Sequence, residues 1–386
     1  MSPLIYFDHH ATTPLDPRVF EAMRPWYTEH TGNAASLSHQ AGRRAAVAVA
    51  ESRASIAQSL GCEPDEILFT CGATEANNLA IKGVLAAAGR EAHVITNQAE
   101  HRAVLDPVRR WHRTGSPVTI VGVDRDGRVP PESIREALTP HTRLVTVMAA
   151  NNEVGTINAL DDVASMVLGC GALLHSDAAQ AVGRIPVDLR TLPVDLLSLT
   201  AHKLYGPQGI GALFVRRGRG RIPIEPLLDG GGHERGLRSG TLPVALIVGF
   251  ATAVQLAVSR LSTETDTLSS LRERLWRGLR DRISGVELNG HPTRRLAGNL
   301  NVTIPGVDGD ALLVRLQQTN LAVSSGAACS SANPEPSHVL RAMGRCDREA
   351  RSSLRFGLGH DNTAAEVDSA VTIVAEVVHE LRATAT

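Results

Sequence analysis

The chain predicts an α/β fold: a large, mostly parallel sheet domain followed by a smaller α+β unit. Three observations carry this. Short, almost continuously apolar runs alternate with helix-length segments through the first two thirds of the sequence, as in strands covered on both faces. The texture changes after a Gly-rich stretch at 230–240 and a long helical pattern at 243–283. With 386 residues, 43% of them apolar, the chain is long enough to bury a large core.

Taken in order, the strand candidates are EILFT (66–70), HVITN (93–97), VTIVGV (118–123), RLVTVMAA (143–150), GALLHS (171–176), VDLLSLT (194–200) and GIGALFV (209–215). Beyond the long helix, NLNVTI (299–304), a helix from Asp308 to Asn320, a short LAVSS strand, SLRFGL (353–358) and a terminal helix describe the second unit. The expected division is a large domain over 15–260 and a small domain made of 1–14 and 261–386. The small domain carries a Gly/Ala/Ser-rich loop at about 324–336, whose few bulky residues suggest mobility.

A net charge of −1 gives no general reason to expect nucleic acid or an anionic membrane as partner. The one basic run, RRGRGR (216–221), reads as a surface turn in an Arg-rich chain. Five scattered cysteines with no CxxC pair suggest neither a disulfide framework nor a zinc site, and no metal is expected. MSPLIYFDHHATT lacks a basic region followed by an apolar stretch, so a cytoplasmic protein is expected.

Only two lysines occur, Lys82 and Lys203, in a chain that otherwise uses Arg. An amine can lose its proton and condense with an aldehyde, which guanidinium cannot do. Lys203 therefore marks either amine chemistry or a survivor of compositional bias. GATEANN (72–78) follows a strand and opens a helix, an arrangement that suits a phosphate or a plain helix cap. Thr200 and His202, just before Lys203, are further phosphate candidates. Asp177 and Gln180 stand just past a strand end, where α/β sheets bind ligands. Asp177 is a candidate partner for a protonated pyridine nitrogen, or a helix N-cap. His101 suits ring stacking or proton shuttling, and is otherwise structural.

These residues converge on a family. FTCGATEANN, AEHRAVLD, AANNEVGT, HSDAAQAVG, SLTAHKLYGPQG, GGGHERGLRSGT and SSGAACSS occur in the order and approximate spacing of the pyridoxal-phosphate cysteine desulfurases, the NifS/IscS-like group of the class-V aminotransferase superfamily. The chain resembles that group over essentially its whole length. The resemblance implies fold type I and pyridoxal 5'-phosphate as cofactor. It implies that Lys203 carries the cofactor and then moves protons at the substrate α-carbon, and that His101 stacks on the ring. Ala73, Thr74, Thr200 and His202 match phosphate-binding positions, Asp177 the ring-nitrogen partner, and Gln180 and Asn152 the groups about the ring oxygen. Thr241 matches a residue reaching the phosphate of the neighbouring subunit, which implies a homodimer. Arg355 matches the residue that grips the substrate carboxylate, with Asn33 and Asn152 assisting.

The same resemblance makes Cys329 the nucleophile that takes sulfur from L-cysteine as a persulfide, releasing L-alanine, and passes it to an acceptor protein. Iron–sulfur cluster assembly or thiolation is the expected destination. Membrane and direct nucleic-acid partners are not expected. Cys71, Ala34, Ala327 and the His9-His10 pair depart from the common pattern without removing a catalytic group, and Cys71 is a candidate second thiol. The last helix stops at HELRATAT, where iron–sulfur housekeeping members of the family carry a further docking segment, so a different acceptor or docking site is expected. The alternatives left open are selenocysteine lyase activity and a noncatalytic sulfur-transfer or assembly subunit. An aminotransferase or decarboxylase would not need Cys329.

Overall fold

The computed structural model describes residues 3–218, 220–325 and 335–384. Its large sheet contains β2 (Ile67–Thr70), β3 (His93–Asn97), β4 (Val118–Val121), β5 (Thr142–Thr146), β6 (Leu173–Asp177), β7 (Leu196–Thr200) and β8 (Gly211–Val215), in the order β2-β8-β7-β6-β5-β3-β4. Only β8 runs antiparallel to its neighbours. Alternate side chains serve two cores. Phe69, Ile95, Val145, Leu174, Leu197 and Phe214 belong to one, with the helices Gln40–Leu60 and Val244–Arg282. Leu68, Val94, Leu144, Leu196 and Leu213 belong to the other, with Leu79, Leu85 and Val104 from the helical segments that follow β2 and β3.

A second, antiparallel sheet joins β9 (Glu287–Asn289), β10 (Asn299–Thr303) and β12 (Ser353–Gly357) in the order β12-β10-β9. Its core includes Val302 and Phe356, Leu271 to Leu279 of the long helix, and Val367 to Val378 of the helix Ala364–Thr384. Val244–Arg282 is the one helix, among the described residues, apolar and long enough to cross a membrane, and its apolar faces are spent in the two cores.

The N-terminal segment ties the units together. β1 (Ile5–Tyr6) pairs in parallel with β11 (Leu321–Ala322), Phe7 joins the smaller core, and Asp8 bridges to Gly357. Thr13 then donates to the His202 carbonyl through both its N–H and its hydroxyl, each at 2.9 Å. The strand expected over 143–150 stops at Thr146. Val147 and Ala149 still donate to the carbonyls of His175 and Asp177, so the chain stays extended while it turns toward the site. The helix expected over 308–320 ends at Leu316, where Gln317–Asn320 turn into β11.

Candidate active site

The parallel strands β3, β5, β6 and β7 end on one side of the sheet, and the register Thr70–Gly211–Thr200 brings β2 and the start of β8 to the same edge. There a cavity of about 480 Å³ is lined by Ala73, Thr74, Asn77, His101, Asn152, Asp177, Gln180, Thr200, His202 and Lys203. This is the carboxyl-end crevice where open α/β sheets bind ligands.

One wall is the turn from β2 into the helix Ala73–Asn78. Gly72 has φ +154°, which only glycine adopts readily, and it begins the helix with no side-chain cap. A Cβ on Gly211 would stand 2.7 Å from the Gly72 Cα, so glycine is needed for this close approach. The first helical N–H groups have no intrahelical acceptor and favour an anion. Glu75, in the first turn, is committed elsewhere: Arg238 Nε donates to it at 2.9 Å and the Cys71 N–H at 2.6 Å. The Thr200 hydroxyl lies close to this turn, 3.8 Å from where a Cβ on Gly72 would stand.

Asp177, at the end of β6, is buried. Asn77 Nδ2 donates to its Oδ2 at 2.7 Å, and the Ala179 N–H to its Oδ1 at 2.9 Å. Asn77 was not singled out in the sequence, although it lies inside GATEANN, one helical turn beyond Ala73 and on the inward face. On the same strand and face, the His175 ring sits between Thr146 Oγ1 at 2.8 Å and Ser198 Oγ at 3.0 Å, and burial pushes it down to about 4.

His101 caps the helix Arg102–His112, its Nδ1 accepting the Ala103 N–H at 3.0 Å, which leaves the ring proton on Nε2 in the neutral form. Burial lowers its pKa and Lys203 adds to that, against the pull of Asp177. His202 is pushed down to about 4 by burial and by the Lys203 and Arg184 charges. Burial, and then the Asp177 charge, raise buried Glu100 to about 8. The Gln180 Nε2 donates to the His10 carbonyl at 2.9 Å.

Three expected site residues lie off this cavity. Arg355 is only 2% exposed: its Nη2 donates to Asp8 Oδ1 at 2.7 Å and its Nη1 to the Asn152 carbonyl at 3.1 Å. The Asp8 carboxylate and the Asn152 carbonyl hold the fork, and Arg355 is not among the residues that line the cavity. Asn33 is exposed and its Oδ1 accepts the Ala35 N–H at 2.9 Å, a turn contact away from the cavity. Thr241 is exposed beyond the Gly-rich stretch. Cys329 lies outside the described residues. The described chain on either side of it is anchored beside the site: Ser324 bridges to the Arg355 backbone, and the Ser337 hydroxyl donates to Glu153, next to Asn152.

Cys71 lines the cavity, but partial burial and its hydrogen bond to Glu75 push its thiol up to about 11; burial takes Cys62 to about 12. Neither is a ready thiolate. In the basic run, Arg216 is spent on the carbonyls of Leu189, Leu192 and Val194, and Arg217 pairs with Asp65.

An electropositive glycine turn, a fixed carboxylate at a strand end and an amine on the same cavity fit a phosphorylated pyridine aldehyde, and with this sheet order they define a pyridoxal-phosphate enzyme of fold type I. The chain belongs to the class-V aminotransferase family, whose model matches residues 5–370, and within it to the cysteine desulfurases. It is 46% identical over 381 residues to the cysteine desulfurase IscS of Anaeromyxobacter dehalogenans, covering 98% of this chain and 93% of that one. Among solved structures, a NifS-like protein superposes with a TM-score of 0.91 at 38% identity, covering 98% of this chain and 100% of its own. SspA in complex with cysteine superposes with a TM-score of 0.81 at 35% identity over 92% of this chain and 98% of its own.

Proposed function

We propose that this enzyme is a cysteine desulfurase that converts L-cysteine to L-alanine and passes the sulfur, through a persulfide on Cys329, to an acceptor protein. The observation that carries the reading is the gathering of Lys203, Asp177, His101 and the glycine turn on one cavity, with the chain flanking Cys329 anchored beside Asn152. Pyridoxal phosphate supplies an aldehyde to capture the substrate amine and a ring that accepts electrons from the α-carbon.

The residues divide the work. Lys203 would hold the cofactor, and its amine would serve as the base for the substrate α-proton. Ala73, Thr74, Thr200 and His202 hold the phosphate, joined by Thr241 from a second copy of the chain in a homodimer. Asp177, steadied by Asn77 and the Ala179 N–H, would serve the ring nitrogen, and Gln180 and Asn152 the ring oxygen. His101, neutral and oriented through Nδ1, stacks on the ring and offers Nε2 for proton transfer. Arg355, whose fork joins Asp8 to the Asn152 carbonyl beside the cavity, would exchange Asp8 for the substrate carboxylate with Asn152 assisting; Asn33, away from the cavity, has no part in this step.

The Cys329 thiolate attacks the substrate sulfur. The S–S bond forms as the C–S bond breaks, and the bonding pair stays with carbon, which takes a proton to become alanine. An exchange-type step then hands the outer sulfur to the acceptor. An iron–sulfur scaffold or a thiolation enzyme in the cytoplasm is the acceptor this reading favours.

A single turnover with L-cysteine, followed by mass spectrometry of the Cys329 peptide, tests the proposal. One added sulfur atom on Cys329, removed by reductant, is expected. Alanine formed with no sulfur on Cys329 would overturn the route.

A further inference from the structure

Lys203 lines a second, smaller cavity of about 50 Å³ as well, together with Arg184, Tyr205, Glu264 and His360. Arg184 follows the HSDAAQAVG motif and has no part in the roles assigned above. Its Nη2 donates to the His9 carbonyl at 2.8 Å and to the Lys203 carbonyl at 3.2 Å, and its Nη1 to His10 Nδ1 at 2.5 Å. One guanidinium thus ties the lysine-bearing turn Ala201–Lys203 to the N-terminal segment. Among the described residues, no carboxylate lies within ion-pair distance of it. Glu264, which faces it from the long helix, is engaged by Arg260 at 3.9 Å and by His360 at 3.7 Å.

We propose that Arg184 is a positioning residue for the cofactor lysine: it pins the Lys203 turn, and its charge disfavours a second positive charge on the Lys203 nitrogen. This rests on Lys203 carrying the cofactor. A base that must remove a proton is useful only while uncharged, and a neighbouring cation is one way to keep an amine so.

The charges around the pair leave this role to Arg184. The Lys203 charge acts on His10, His101 and His202, and Asp177 lines the same cavity. Burial holds His10 well below its ordinary value and His202 at about 4, so neither carries charge near neutral pH. Facing Arg184 are Glu264, Tyr205 and Arg355, together with the His9, His10 and His202 rings, all held below their ordinary values by burial. Burial brings Arg184 down to about 10, with Tyr205 and Glu264 opposing, so it stays cationic at neutral pH.

The test is a pH titration of the visible band of the cofactor-loaded enzyme, with borohydride reduction and peptide mass spectrometry confirming the adduct on Lys203. Arg184→Met is expected to raise the titration midpoint by about one pH unit, and Arg184→Lys, which keeps the charge, by less than about a third of that. Glu264→Gln removes an opposing charge and should lower the midpoint by a few tenths of a unit. An unchanged midpoint in Arg184→Met with the adduct intact, or equal shifts in the Met and Lys variants, overturns the inference. Should Arg184→Met not fold, Arg184→Gln decides: a raised midpoint supports the inference, an unchanged one with the adduct intact refutes it. Absence of any adduct on Lys203 in the unmodified enzyme overturns the functional reading as well, which separates the two failures.

Discussion

The strand-end cavity and the seam beneath it are built by different means. In the cavity, each candidate group sits at the end of a strand or in the turn that follows; Ala179 serves Asp177 and Ala103 serves His101 from two residues away, and Asn77 reaches Asp177 from the helix that follows β2. In the seam, every important contact joins distant parts of the chain: Arg355 with Asp8, Arg184 with His9, Gln180 with His10, and Glu153 with Ser337. The cavity is fixed by local geometry on a rigid sheet. The seam exists only when the N-terminal segment, the large sheet and the second unit are assembled together. Chemistry should therefore be lost sharply by changes in the cavity, while changes in the seam should act through orientation and stability.

The largest effects should separate the cofactor from the thiol. Lys203→Ala should abolish the reducible cofactor adduct and lower turnover by more than about 10³-fold, whereas Cys329→Ser should lose desulfuration to a similar degree while keeping the visible spectrum. Next, Asp177→Asn should cost about 10²- to 10³-fold in kcat, and Asn77→Ala, which removes one hydrogen bond to that carboxylate, about 10-fold in the same direction. Equal losses in the two would erase the distinction between the charge and its support.

In the seam, Asp8→Ala leaves the Arg355 guanidinium buried and half paired, and should cost about 3 kcal/mol of stability in a denaturant titration. Its kinetic signature should be a raised KM for L-cysteine more than a lowered kcat.

The smallest effects lie in the pH dependence of stability. His175 and His202, held at about 4, refuse protons that the unfolded chain binds below about 6.5, so their contribution is lost as pH falls from there toward 4. Burial does the reverse to Glu153 and Glu100, raised to about 7 and about 8. The folded chain keeps protons that the unfolded chain releases above about 4.5, so stability falls as pH rises through those values. Glu153→Gln should flatten the denaturation-midpoint profile between about pH 4.5 and 7; an unchanged profile would contradict its burial as an acid.

The same contrast explains what the sequence could reveal. The seven strands of the large sheet, the glycine turn and the run of Thr200, His202 and Lys203 were legible because a strand end and its following turn are contiguous residues with a repeating apolar pattern. Asn77 was hidden by its place within a motif whose first residues drew the attention. The position of Arg355 was not legible, because its orientation depends on Asp8, 347 residues away. Arg184 looked like one more arginine among many until the fold placed His9, His10 and the Lys203 carbonyl around it.

The central claim is that Lys203 and Cys329 act in one desulfuration cycle. It is tested most directly by the absorbance spectrum of the purified enzyme before and after L-cysteine, with alanine and sulfide quantified under reductant in the same cuvette. The account predicts a visible band that shifts on addition, equal amounts of alanine and sulfide, and loss of both products in Cys329→Ala with the band retained. A protein with no visible band, or one whose Cys329→Ala variant still yields both products at the original rate, would contradict it.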